Sequence, residues 1–296
     1  MGAAHDRAAH ALRHAVPMYV LAGLCLSSLD ATAKYLVRDH SLLVIVWARY
    51  AGQMAVVTPF AWHRAGGGFW RTRRLPLQLL RSLFLLCATL GFWGGLRYLP
   101  LAEASSITFL APIIVVALSW PLLGERATRA RRVASVVGFI GILVLLRPGS
   151  AVMHPAVALL LAAALSNALY QLLTRRLLGE SLHTTLFYSA SVGTVVLTLA
   201  LPWAIGGESA GVGALVALLL LGVFAGVGHW LMTHAYLEAP ASLLSPFTYL
   251  QILWATAFGF AFFGQHPDGI SAVGMGIVIA SGVLLAAWEH LRRHAY

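Results

Sequence analysis

The sequence predicts an all-α polytopic membrane protein, with ten transmembrane helices arranged as two inverted five-helix repeats. Three observations predict it. First, the 296 residues are 59% hydrophobic and only 10% charged, with a mean hydropathy of +0.81, whereas a soluble domain carries about 25% charged residues. Second, the apolar residues form ten continuous stretches rather than short alternating ones, which selects helices over a barrel. Third, the last five stretches repeat the first five at a spacing near 140 residues.

The stretches are 17–38, 42–62, 76–97, 101–122, 130–147, 155–178, 182–203, 211–237, 241–263 and 269–290. Each approaches the roughly 20 residues that cross about 30 Å of hydrocarbon, and the joints are too short to hold a soluble domain. The first follows a short basic leader, as a signal peptide would. Its length, its Asp30 and Lys34, and the lack of a small-residue cleavage site make it a retained helix. The duplication is clearest where 100–124 aligns on 240–264, with Pro100/Pro240, Ser105/Ser245, Thr108/Thr248, Leu110/Leu250, Ala117/Ala257 and Gly124/Gly264 identical. Pro17/Pro155, Ser28/Ser166 and Arg38/Arg176 continue it at a spacing of 138. The two repeat units are therefore 1–150 and 151–296. Since each holds an odd number of spans, the second enters the membrane from the opposite face, the ground plan of secondary transporters with a midplane substrate site.

The net charge of +10 is sorted by side. Alternate joints and both tails hold fourteen arginines (Arg7, Arg13, Arg64, Arg71, Arg73, Arg74, Arg126, Arg129, Arg131, Arg132, Arg175, Arg176, Arg292, Arg293), against Arg38, Arg97 and Arg147 on the other side. The positive-inside rule then predicts a bacterial-type inner (plasma) membrane protein with both termini cytoplasmic. The basicity reads as topology, so the lipid bilayer is an expected partner and nucleic acid is not. Cys25 and Cys87 fall inside spans without CxxC spacing, so neither a disulfide nor a metal is indicated, no cofactor is expected, and a monomer is possible.

Polar residues at mid-span define the candidate site. They are Ser27 and Ser28 on helix one, Thr108 on helix four, Ser166, Asn167, Tyr170 and Gln171 on helix six, Thr248, Tyr249 and Gln251 on helix nine, with Trp93, Tyr98, His229 and Trp230 on helices three and eight. Polar groups at this depth are costly unless they pair or face water, which predicts a shared cavity. Interhelical hydrogen bonding is the competing role, above all for Ser and Thr. A lining of amides, hydroxyls and rings without an Arg or Lys cluster suits a small zwitterion better than a phosphate. The rings offer stacking and cation–π contacts. Asp30, Lys34, Arg49 and Glu103 sit toward the outer side, where the four-residue spacing of Asp30 and Lys34 predicts an ion pair and a network closing the outer gate. A coupling proton on Asp30 or Glu103 is the alternative. Gly91, Gly95, Gly222 and Gly226 are expected to let helices approach and shift, and Pro112 to bend helix four.

The run Ala104-Ser105-Ser106 through Pro112 to Leu122-Leu123-Gly124-Glu125-Arg126, followed by Gly138 and Gly141, resembles the end of an EamA-type unit of the drug/metabolite transporter superfamily. The second copy, Ala241-Ser242 through Tyr249-Leu250-Gln251 to Phe263-Gly264-Gln265, then Gly276 and Gly282, is similar, with Gln265 where that family usually has Glu. Overall likeness is greatest to the YddG-type exporters of aromatic amino acids and methionine. The resemblance implies export of amino acids by alternating access, with other small metabolites or drugs as the alternative substrates. An enzyme would need a nucleophile or metal motif such as G-x-S-x-G or H-E-x-x-H, and a channel would need a filter, and neither appears in the sequence.

Overall fold

The computed structural model describes residues 2–124, 128–147, 154–177, 179–204, 211–238 and 244–294, with the backbone alone at 2–13, 236, 237, 245, 246 and 289–294. The motif residues Glu125, Arg126, Pro240, Ala241 and Ser242 lie outside them. Among the described residues the elements are all helical: α1 (Gly2–Leu36), α2 (Leu42–Ala65), α3 (Leu75–Leu96), α4 (Leu101–Thr108), α5 (Leu110–Leu123), α6 (Arg129–Leu146), α7 (Val157–Arg176), α8 (Leu182–Ala204), α9 (Val212–Glu238), α10 (Leu250–Phe263) and α11 (Gly269–His294). A 3-10 turn, Ser245–Tyr249, leads into α10.

Eight of the described segments are long and apolar enough to cross a membrane, with α4 and α5 counted as one span. The two short elements have plain causes. Helix α6 begins with Arg129, Arg131 and Arg132, which shortens its apolar part, and α10 runs only from Leu250 to Phe263 because its first turn is wound as 3-10. Large apolar side chains such as Trp203, Val212, Leu199 and Leu219 point outward and are at least 69% exposed. Such a surface suits lipid, since the helices already satisfy their own backbone groups.

The bend expected at Pro112 takes the form of a break one turn earlier, at Phe109 (φ −67°, ψ 0°). Proline has no N–H for the carbonyl of Thr108 and its ring crowds that oxygen, so the preceding turn gives way. In the second repeat Ile252 stands at the matching position, yet the backbone still changes from 3-10 to α between Tyr249 and Leu250. Phe109 and Tyr249 are matched residues, and their rings stack with centroids 5.0 Å apart at 28°. The pseudo-two-fold axis passes between them.

The packing obeys that symmetry. Helix α1 lies along α9 as α7 lies along α3; α5 meets α7 as α10 meets α1; α2 pairs with α8 and α6 with α11. Helix ends match as well. Gly124 (φ 71°) and Gly264 (φ 61°) close α5 and α10 in the left-handed conformation that favours glycine, each returning its N–H to the residue four before it. Gln265, the departure from the usual Glu, has a structural use: its Oε1 accepts the Leu101 N–H at 3.0 Å, capping α4 from the other half.

Candidate functional site

Between the halves lies a cavity of about 220 Å³ walled by α1, α2, α3, α4, α7, α9 and α10. On α3, which spans Leu75–Leu96, its wall runs from Leu85 at the middle of the helix to Trp93 near its C-terminal end. Of the candidate residues, Ser27, Trp93, Thr108, Asn167, His229 and Gln251 line it. The Thr108 hydroxyl is partly committed, donating to the Ser105 carbonyl at 2.7 Å.

The other expected residues stand elsewhere. Ser28 donates to Leu24 of its own helix at 2.8 Å, and Gln171 is exposed. Tyr98 is 56% exposed and stacks on His154 with centroids 5.1 Å apart. Trp230 packs outward against His234 and Phe60. Tyr170 lies below the Arg81 guanidinium, 4.8 Å from its ring centroid. Tyr249 is one step removed, behind Phe109, which does line the cavity.

Two charges expected at an outer gate belong to the cavity wall instead. Asp30 Oδ1 accepts the Trp93 indole N–H at 3.0 Å. Arg49, 6% exposed, donates from Nη1 to Thr89 at 2.8 Å and lies over the rings of Tyr50 and Trp93. Its Nε has no hydrogen-bond partner among the described residues. The expectation of a lining without arginine is corrected by this geometry. The Asp30–Lys34 pair is corrected too: Lys34 Nζ donates to the carbonyls of Leu96 at 2.9 Å and Leu99 at 2.6 Å, at the negative end of α3. Asp30, engaged by Trp93, faces the cavity.

The end of the molecule where α6 closes and α11 begins is held by Arg147, counted from the sequence among the loop arginines, and by Asp268 and Ser271, which sequence reasoning did not single out. Arg147, which ends α6 in a left-handed conformation (φ 46°), forms a salt bridge with Asp268. Asp268 also caps α11 by accepting the Ser271 N–H at 2.8 Å. The Arg147 guanidinium, with help from Ser271, holds the Asp268 carboxyl well below the usual carboxylate range. Glu103 joins through the Ser271 hydroxyl at 3.3 Å.

The glycines are points of helix contact. A Cβ on Gly222 would stand 2.7 Å from Gly52 Cα, and one on Gly226 would stand 2.8 Å from Val56, so α9 seats on α2. Gly91 and Gly95 seat α3 on α7 in the same way, against the Leu159 carbonyl and the Leu160 side chain. Sequence reasoning missed Thr89, Phe92, Ser105 and Phe109 in the wall. It also missed Gln53, fully buried one turn from Arg49 with neither amide atom bonded among the described residues. A larger groove of about 810 Å³ between α5 and α6 is lined only by first-repeat residues, including Trp120 at 63% exposure. It belongs to the outer surface and not to the interface between the halves.

Apolar helices long enough to span a membrane, two repeats whose helices pack in matching pairs and a polar cavity between them are the features of a small-molecule membrane transporter. The model of the EamA-like transporter family matches twice, at 14–147 and 154–287, and the chain belongs to that family. It is 28% identical over 271 residues to an S-adenosylmethionine uptake transporter of Rickettsia prowazekii, covering 90% of each chain. It is 27% identical to a riboflavin transporter of Vibrio cholerae, covering 95% of each. It is 26% identical to the pseudopaline exporter CntI of Pseudomonas aeruginosa, covering 93% of this chain and 96% of that one. These relatives carry varied metabolites in both directions, so the narrower likeness to exporters of aromatic amino acids is not what they single out.

Proposed function

We propose that this chain is a secondary carrier of small zwitterionic metabolites, amino acids and compounds with an amino-acid end, moved by alternating access through the central cavity. One observation carries the reading: Arg49 and Asp30 face the same cavity with no salt bridge between them among the described residues. Unpaired charge inside a membrane protein is costly, and opposite charges held apart are what a zwitterion requires. The Arg49 Nε is a buried donor without a hydrogen-bond partner among the described residues, which a substrate carboxylate would satisfy, and a guanidinium holds a carboxylate more strongly than an amide does. The second carboxylate oxygen of Asp30 is the acceptor for the ammonium group. Phe92, Phe109, Asn167 and Gln251 then meet the rest of the molecule.

S-adenosylmethionine has the same amino-acid end, which supports extending the rule to it. The riboflavin and pseudopaline relatives mark how far the scaffold accepts other cargo. At about 220 Å³ the cavity lies below the roughly 300–1,000 Å³ of drug-sized sites. A single amino acid suits this conformation, and a larger cargo requires a wider one. The arginine-rich ends of the helices face the cytoplasm in this reading, with the protein in the inner membrane and both termini inside.

Counterflow in proteoliposomes tests it. Methionine, tryptophan or S-adenosylmethionine gives saturable exchange, while tryptamine and indolepropionate, each lacking one charge, do not. Arg49→Gln and Asp30→Asn each weaken apparent affinity by about 10- to 100-fold, the value of a charge-assisted hydrogen bond. Exchange of none of the amino-acid compounds by the folded protein would sink the substrate class.

A further inference from the structure

We infer that Arg81 is a latch that closes the cavity toward the arginine-rich end of the molecule, an inference that takes the carrier reading as its frame. Arg81 stands two turns into α3 and is 1% exposed, yet among the described residues it has no carboxylate partner. Its guanidinium crosses to the second repeat. Nη1 donates to the Thr174 hydroxyl of α7 at 3.2 Å, and Nη2 donates to the Thr185 carbonyl of α8 at 2.9 Å and to the Ser189 hydroxyl. Tyr170 of α7 supports its face. One side chain thus ties three helices and both halves.

Its neighbours complete a seam. Gln78 donates to the Thr185 hydroxyl at 3.3 Å, Thr72 to Glu180 at 2.8 Å, Arg74 to the Arg176 carbonyl at 2.6 Å, and Thr184 to the Phe69 carbonyl at 2.6 Å. Every one of these bonds joins the first repeat to the second at the same end. On α3 the cavity wall begins at Leu85, one turn from Arg81. Cargo leaving the cavity by this end must pass the guanidinium.

The partners suit a reversible closure. A carboxylate would bind Arg81 tightly in the dry interior. Neutral hydroxyls and a carbonyl hold it less strongly, and water replaces each of those bonds when the helices part, so closed and open states stay close in free energy. The matching positions of α9, 219–221, are leucines. The device therefore has no symmetric copy, and the opposite end is held by Arg147 and Asp268 instead.

Thiol accessibility tests the latch without any substrate, so its outcome is separate from that of the zwitterion reading. In a background with Cys25→Ser and Cys87→Ser, Ala88→Cys places a reporter on the cavity wall. A membrane-impermeant maleimide is applied in turn to each face of sealed vesicles. Reporter labelling from the arginine-rich face is slow with Arg81 present, about tenfold faster with Arg81→Gln and about threefold faster with Ser189→Ala, which removes one acceptor and leaves the charge. Labelling from the other face does not rise. Unchanged labelling from the arginine-rich face, or an equal rise from both faces, overturns the latch. If Arg81→Gln does not yield folded protein, Ser189→Ala decides by the same two criteria.

Discussion

The ionisable side chains of this protein differ in what holds them, and the partner decides the role. Lys34 donates to two helix-end carbonyls and ties α1 to the end of α3, whereas Arg49 lines the cavity with a buried Nε that has no partner among the described residues, which is what the proposed binding role draws on. Asp268, at the membrane edge, gives a pH prediction. Its carboxyl titrates below the unfolded value of about 3.9 because Arg147 and the Ser271 amide favour the charged form. A group with a depressed folded value contributes its stability fully above the unfolded value and loses it as pH falls through the folded one. Thermal melts in detergent are therefore expected to show the full, pH-independent contribution of this pair between about pH 5 and 8, a loss below about pH 4, and a weaker acid dependence in Asp268→Asn. An unaltered acid limb in that variant would exclude the pair as its source. At this scale the sequence was legible only in part. Ser27, Asn167 and Gln251 could be found as mid-span polar residues, but Arg49 lies seven residues after Leu42, the start of α2, and its length and the helix packing carry its charge inward. Tyr170 and Trp230 were misplaced for another reason: helices apolar around their whole circumference do not declare which face looks inward.

Helix contacts depend on where glycine removes a side chain. At the α2–α9 crossing Gly52 and Gly222 meet backbone to backbone, a Cβ on Gly222 coming within 2.7 Å of Gly52 Cα. Backbone cannot rotate away as a side chain can, so Gly222→Ala must separate the helices. The expected cost is about 1–3 kcal/mol, the usual penalty for overpacking, read as a lower melting temperature in detergent. Gly213→Ala in the same helix, where a Cβ meets nothing within 4 Å, is the control and leaves the melting temperature unchanged or raised. Equal effects at the two sites would remove the contact as the cause. The spans themselves were readable because a bilayer demands length and apolarity that composition records directly. Their interruptions were less readable. Pro112 announces a distortion, but its place at Phe109 depends on which carbonyl loses its donor, and the 3-10 turn before α10 has no proline at the matching position.

Across the whole molecule the scaffold is symmetric and the chemistry is not. Asp30 faces Ala168 in the repeat alignment, Leu29 faces Asn167, and Ala111 faces Gln251. The first repeat supplies the cavity's charges, Arg49 and Asp30, while the second supplies its amides and His229. A division of labour follows. If the charges hold the amino-acid end that all substrates share, their loss lowers every substrate together. If Asn167 and Gln251 meet the part that varies, their loss reorders the substrates. Competition counterflow with a panel of amino acids is expected to show Arg49→Gln depressing all members by similar factors. Asn167→Ala and Gln251→Ala are expected to change the ratio between polar and aromatic members by about 3- to 10-fold, the worth of one neutral hydrogen bond. A uniform loss in the amide variants would mean that they too bind the common end, and the asymmetry between the repeats would then reflect packing alone. A reordering confined to the amide variants would tie selectivity to the second repeat and recognition of the charged end to the first, on a fold whose helices pack in matching pairs.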